Sequence, residues 1–340
     1  MKDIDPRRNQ AFIAHLNLKE TSMTDTAATT SKVSTMQPFA VGDLFLGATD
    51  LNVPTDDHAG DGRIFQFDKN MNMKGVLYTT GTTHLVKGLT FAPDGLLWAF
   101  DSAEHAIIWV DPKTGSQVSP GYKFPSRPWS SAFWDKAGNT YLYEHITGTM
   151  DKVPEKYRPM TKMVPGTDYV GFGHVLKFSK DGTLIKEFNT ETSTSFAGHL
   201  GVTSCLLSAD ETHLIYTTET SKRLMRYDII ADKQLPDLMQ LPQEAREFMF
   251  CLGLSKDGTI LATRGAKWEH IDNDGKVVRS YPLEGPGWAI IKESLDGQYV
   301  FVNSFFTGQC LKFEKDSGRV VGTCTVPAQR SLAGFAEYPG

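Results

Sequence analysis

An internal repeat constrains this chain more than any other feature of its sequence. Five segments share one pattern: 88–95 (GLTFAPDG), 131–138 (SAFWDKAG), 204–211 (SCLLSADE), 251–258 (CLGLSKDG) and 290–297 (IIKESLDG). In each, an apolar run ends in an Asp-Gly-like turn of the kind that closes a β-hairpin. A second apolar run follows each turn, at 96–100, 140–143, 213–217, 259–263 and 299–303. A third carries a different signature, as in 107–111 (IIWVD), 175–178 (VLKF), 224–228 (LMRYD) and 310–313 (CLKF), and a Gly-bearing turn then leads to a fourth. Four strands recurring every 40 to 60 residues or so, about the length of one blade, are the unit of a β-propeller.

Five such units run from about residue 85 to 326. The stretch 42–80 supplies only strands two to four, beginning at 43–47 (DLFLG), and the chain ends in 332–336 (LAGFA), a first strand without companions. Joining the two gives a sixth blade, and the ring then has no open sheet edge. The predicted fold is therefore all-β: a six-bladed propeller over residues 41–340, closed by a C-terminal strand. Residues 1–40 read as a mobile N-terminal tail, with a short amphipathic helix over 1–18, a Ser/Thr/Ala-rich linker over 21–35 and an alternative start at Met23. Residues 238–247 are the best remaining candidate for a helix. The third blade carries an insertion, 146–173, long enough to act as a lid.

Composition narrows the functional classes. The 340 residues carry 35 Lys and Arg against 40 Asp and Glu, a formal net charge of −5, which disfavours nucleic acid and anionic membrane as partners. No apolar run approaches the roughly 20 residues of a membrane helix, and no secretory signal opens the chain. The four cysteines, Cys205, Cys251, Cys310 and Cys324, form no CxxC pair. A cytoplasmic setting is expected, with a small molecule as partner and the oligomeric state undetermined. No phosphate loop, dinucleotide fingerprint or Gly-x-Ser-x-Gly elbow is present.

In a propeller, ligand chemistry gathers where the loops leading into the inner strands meet the loops after the second strands. The first group supplies His84, Arg127, His199 and Glu247; the inner strands supply Lys87, Trp129, Phe248, Phe250 and Trp288; the second group supplies Asp101, Glu144, His145, Glu219 and Phe305. His84 and His199 both precede inner strands, so they are the expected metal or cofactor ligands, for iron or haem, since imidazole suits both. Glu247, His145 and Arg127 are the catalytic candidates. Trp129, Phe248, Phe250, Trp288 and Phe305 would form an apolar wall for a flat substrate. His58, His105, His174, His213 and His270 read as structural.

The strand–Pro-Asp-Gly–strand rhythm of 88–98 resembles the six-bladed propellers related to gluconolactonase, senescence marker protein and strictosidine synthase. That resemblance spans about 41–340 and implies a divalent Ca or Mg ion held by Glu, Asn and Asp at the starts of inner strands. The positions eight residues before each turn glycine or its equivalent are Lys87, Ser130, Thr203, Phe250 and Ala289, and none carries such a ligand. In length and in lacking a nucleotide motif, the chain is also similar to small propeller oxygenases that cleave the alkenyl side chains of phenylpropenes such as anethole and isoeugenol. The leading expectation is accordingly an oxidoreductase of oxygenase type, using His-bound iron or haem and O₂ on a small aromatic substrate. The alternatives are a lactonase or other hydrolase with a shell built from Glu247, Asp101 or Glu144, a lyase using Glu247 and His199 as acid and base, and a non-catalytic binding propeller.

Overall fold

Each Asp-Gly-like turn places its last residue in the left-handed region, Gly95, Gly138, Gly258 and Gly297 at φ 76–83° or 85° and Glu211 at 58°. Each turn thereby folds an inner strand back on a second strand. The computed structural model describes residues 32–84, 86–119, 124–192 and 199–340. Residues 33–340 form one compact unit.

Blade one holds β1 (Leu44–Val53), β2 (Asp56–Phe67) and β3 (Met73–Tyr78). Blade two holds β4 (Lys87–Phe91), β5 (Leu97–Asp101), β6 (Ala106–Asp111) and β7 (Ser116–Val118). Blade three begins with β8 (Trp129–Trp134) and β9 (Thr140–Glu144). It is interrupted by β10 (Thr147–Thr149) and β11 (Tyr169–Phe172), and ends with β12 (Val175–Phe178) and β13 (Leu184–Phe188). Blade four is β14 (Val202–Leu207), β15 (His213–Thr218), β16 (Arg223–Asp228) and β17 (Lys233–Gln240). Blade five is β18 (Met249–Leu254), β19 (Ile260–Arg264), β20 (Lys267–Ile271) and β21 (Val277–Pro282). Blade six is β22 (Trp288–Glu293), β23 (Tyr299–Ser304), β24 (Gln309–Glu314) and β25 (Val320–Thr325). The last strand, β26 (Gly334–Glu337), returns to blade one and pairs antiparallel with β1, Leu44 opposite Glu337 and Gly47 opposite Gly334. Six four-stranded sheets result, closed as the sequence pattern predicts.

The core is divided among the seams between blades. Trp98, Phe100, Trp129, Leu142 and Phe178 fill the seam of blades two and three; Val175, Val202, Leu214 and Tyr216 fill the next. Blades six and one meet through Phe301, Leu332 and Phe335, whose rings Phe301 and Phe335 stack at 4.7 Å. Inner strands approach one another closely: a Cβ on Gly88, at φ 63°, would lie 2.2 Å from the carbonyl oxygen of Ser130. Glycine is required there by both the turn of the chain and the contact.

Two expectations change. The tail was expected through residue 40, but Thr35 and Met36 donate to Val76 O, Phe39 N donates to Pro112 O, and the Phe39 ring lies 4.2 Å from Phe45. These residues therefore belong to the propeller, because Phe39 and Met36 find apolar partners there. The helix read over 1–18, Met23 and the linker of 21–35 as far as residue 31 lie outside the described residues. The helical candidate 238–247 instead finishes β17 and continues as a loop, its Leu238 and Met239 drawn into the seam of blades four and five. The insertion 146–173 folds as a two-stranded ribbon with two 3₁₀ turns around Ile146, Val153 and Val170. Among the described residues no helix is long and apolar enough to cross a membrane.

Replacing Phe335 by Ala empties a buried, ring-stacked site in the closing seam and should cost about 3–5 kcal/mol, the usual loss for a core Phe. Deleting residues 331–340 removes β26 altogether and should abolish cooperative unfolding. Urea denaturation followed by tryptophan fluorescence tests both; a truncated chain that unfolds like the full one would show that closure is not needed.

Candidate functional site

The repeat sets one residue of every blade directly after its second strand, on the face where the loops converge. In blades two, three and four these residues are Ser102, His145 and Glu219, following β5, β9 and β15. They meet in line. Ser102 Oγ lies 3.2 Å from His145 Nδ1, and His145 Nε2 lies 3.2 Å from Glu219 Oε2. The first residue of β4, Lys87, closes on the same Nδ1 with its ammonium nitrogen. Backbone bonds hold the imidazole in place: His145 N donates to Pro128 O at 2.8 Å, and its carbonyl accepts from Gly201 N at 2.6 Å. Glu219 N donates to Thr203 Oγ1 at 2.7 Å.

The donor and acceptor arithmetic fixes the tautomer. A carboxylate only accepts, so Glu219 requires the proton on Nε2, and Nδ1 is left as a lone pair. That lone pair accepts from Lys87 and Ser102. Lys87, Ser102 and His145 are buried, whereas the Glu219 side chain is 37% exposed and forms the open end of the chain of groups.

Burial governs the charges. Desolvation pulls the Lys87 amine down to about 7, although the charges of Glu219 and Asp101 work the other way. His145 falls to about 4, first through burial and then through the charge of Lys87. Burial also opposes ionisation of Glu219, but its hydrogen bond from His145 and the charges of His145 and Lys87 outweigh this and hold its carboxyl below the usual range. Near neutrality the cluster thus contains an amine at mid-titration, a neutral imidazole and a carboxylate. Such a set can accept and return a proton.

Two buried carboxylates shape the loops around it. Asp101 accepts from the backbone N–H groups of Thr83, His84, Ala103 and Glu104 at 2.8–3.1 Å. Glu144 accepts from Arg127 at 2.9 Å and from the N–H groups of Phe172 and His174 at 3.0 Å. The insertion is fastened beside the cluster. Ile146 bridges to Leu200, Thr147 N donates to His199 O at 2.9 Å, the Tyr157 ring lies 6.3 Å from that of His199, and Lys162 pairs with Glu104. Lys156 and Tyr157 lie within the electrostatic reach of Asp56 and Asp57, near the tip of the long β1–β2 hairpin.

Of the residues singled out in the sequence, His145 is at the centre of this cluster and His199 is near enough for its charge to bear on His145. His84 is held through its backbone, by Asp101 and by Thr49 Oγ1 at 2.8 Å. Among the described residues no three His, Cys, Asp or Glu side chains form a group that could hold a metal ion. Glu247 pairs with Lys267 at 2.9 Å and with Arg264 at 3.6 Å in blade five, rather than supporting an imidazole. Arg127 is paired with Glu144 and Glu187 and covers the Phe172 ring at 4.7 Å, which braces the insertion. Trp129 and Trp288 are buried in blade seams, each indole N–H donating to its own preceding loop, at Pro125 O and Gly285 O. They are seam residues and not a substrate wall. Phe248, Phe250 and Phe305 are half-buried, and Phe305 packs edge-on against Phe306 at 5.3 Å. His105, His174 and His213 bond to Ser126, Glu187 and Thr212, as structural residues would.

The residues given no role from sequence are Lys87, Ser102 and Glu219. A signal for Lys87 was present: among the aligned positions Lys87, Ser130, Thr203, Phe250 and Ala289 it is the one charge.

No protein-family model matches the chain, and no curated protein matches it by sequence. Among solved structures it is similar to virginiamycin B lyase from Staphylococcus aureus at TM-score 0.48 and 12% identity, over 74% of this chain and 73% of that one. A streptogramin B lyase structure matches at TM-score 0.48 and 14% identity, over 86% and 91%. A chain of a nidogen/laminin complex matches at TM-score 0.57 and 12% identity, over 86% and 97%. At these identities the likeness concerns fold, and it bears on neither the gluconolactonase-like nor the oxygenase resemblance.

The titration of Lys87 has a consequence for stability. In the folded chain the amine loses its proton near pH 7, against 10.5 for an ordinary lysine. Between those values the unfolded chain binds more protons, so stability rises with pH; the burial cost is fully present below about pH 7 and gone above about 10.5. Lys87→Met should be more stable than the parent at pH 6 and should lose this rise. Urea midpoints at pH 6, 8 and 10 measure it, and equal rises in both proteins would reject the assignment.

Proposed function

We propose that this chain is a lyase-type enzyme that moves a proton at the channel mouth, with Lys87 as general base and then general acid. The observation that carries this reading is the buried Lys87 amine set against a neutral imidazole whose tautomer Glu219 fixes. When deprotonated, Lys87 still donates one N–H to His145 Nδ1, which turns its own lone pair elsewhere. That lone pair takes a proton from a substrate carbon next to a carbonyl. The C–H electrons form the new double bond, the bond to the leaving oxygen or nitrogen breaks, and the Lys87 ammonium returns the proton to the leaving atom. His145 positions the amine, and Glu219 holds His145.

Acyl transfer through Ser102 is a poorer fit, although its hydroxyl shares the same imidazole nitrogen. The Lys87 amine already occupies that nitrogen, so the imidazole has no lone pair left to take the Ser102 proton. The substrate is read as a small molecule with an acidified C–H, admitted beneath the insertion.

The experiment is a screen of β-substituted carbonyl compounds, followed by the ultraviolet absorbance of the conjugated product. Lys87→Ala is expected to lower kcat by about 10²–10⁴-fold, the usual contribution of a positioned acid–base group, and Ser102→Ala to leave most activity. The parent kcat/KM should rise with pH through about 7, where the amine becomes free. Glu219→Gln removes a charge that favours the ammonium and should move that limb to lower pH. Turnover that survives in Lys87→Ala, or a limb unmoved in Glu219→Gln, would overturn the assignment.

A further inference from the structure

The structure assigns a reversible oxidation site to the outer edge of blade six: Cys310 and Cys324, both reduced, are set to form a cross-strand disulfide. Cys310 on β24 is directly opposite Cys324 on β25 in the antiparallel register. Residues directly opposite share one face of a sheet, with Cβ atoms about 4.5–5.5 Å apart, close to the roughly 3.5–4.5 Å of a disulfide. The two thiols are near enough for Cys324 to bear on the ionisation of Cys310. Both are free, Cys310 fully buried and Cys324 half-buried, so one member is reachable and the other is held behind it. The other two cysteines, Cys205 on β14 and Cys251 on β18, are both buried.

The chemistry needs a two-electron oxidant, and hydrogen peroxide is the simplest. The Cys324 thiolate attacks peroxide, its sulfur becomes the sulfenic acid, and hydroxide leaves. The Cys310 sulfur then attacks that of Cys324, the S–S bond forms, and the sulfenic oxygen departs as water with the Cys310 proton. The balance is two thiols and one peroxide giving one disulfide and two waters. Burial raises the Cys310 thiol well above its ordinary range, so its attack quickens with rising pH. The link would tie β24 to β25 beside the seam where the ring closes, since Cys310 packs with Phe301, Leu332 and Phe335.

The test treats the full-length protein with dilute hydrogen peroxide, then unfolds it and counts thiols with a disulfide-exchange reagent. The reduced chain carries four. The oxidised chain is expected to show two fewer, to be 2 Da lighter, and to yield a Cys310–Cys324 linked peptide on non-reducing digestion; dithiothreitol should restore all four thiols. Cys324→Ser should abolish the linked peptide, whereas Cys205→Ser should keep it. A stable sulfenic or sulfinic acid on Cys324 with Cys310 still alkylatable after unfolding, or a linkage between any other pair, overturns the assignment. So does a chain whose four thiols survive peroxide under conditions that oxidise a free cysteine peptide.

Discussion

The antiparallel pairing of β26 with β1 is the contact on which the rest of the molecule depends. Every other blade is made by neighbouring strands and could form locally, but the first lacks its inner strand until the chain's end arrives. Four residue pairs, from Leu44–Glu337 to Gly47–Gly334, carry that junction, and Phe335 and Leu332 fill the seam behind it. Without it the ring is an open stack with two sheet edges. The position of every loop on the channel face follows from closure, because a propeller's angular spacing is set only when the last blade meets the first.

The candidate site is a product of that spacing. One position, the residue after the second strand, is repeated around the ring, and three adjacent blades fill it with a hydroxyl, an imidazole and a carboxylate. Sequence separations of 43 and 74 residues between the bonded pairs become contacts of 3.2 Å. No catalytic loop has to be designed for the purpose; the repeat supplies the geometry, and side-chain choice supplies the chemistry.

The architecture was readable because a hairpin turn is a local event. Asp-Gly turns, apolar runs and an unaccompanied LAGFA at the end determine six blades and their closure without reference to any long-range contact. The candidate site was only half readable. His145 could be placed on the right face by counting strands, yet its partners Lys87 and Ser102 come from blade two and Glu219 from blade four, and nothing local says that they meet. Trp129 and Trp288 were placed on the channel because they begin inner strands. In fact the register turns those first side chains into the seams, where an indole gains far more buried contact. Glu247 and Arg127 show the same limit of local reading. A charge on a loop looks available until its counter-ions are known, and Lys267, Glu144 and Glu187 are 20, 17 and 60 residues away.

Comparing the two buried ionic groups on this face separates support from chemistry. Glu144 is satisfied on both oxygens by Arg127 and two backbone N–H groups, and Arg127 in turn spans a second carboxylate and an aromatic ring. Such a pair is costly to break and has no reason to exchange protons. Lys87 has an imidazole where it would need a carboxylate, with Glu219 one ring further away. Its ammonium is therefore buried without a directly bonded anion, and desolvation brings its titration to about 7. The same fold thus combines full pairing, which braces the insertion, with incomplete pairing, and the incompletely paired lysine is the group on which the proposed proton transfer rests.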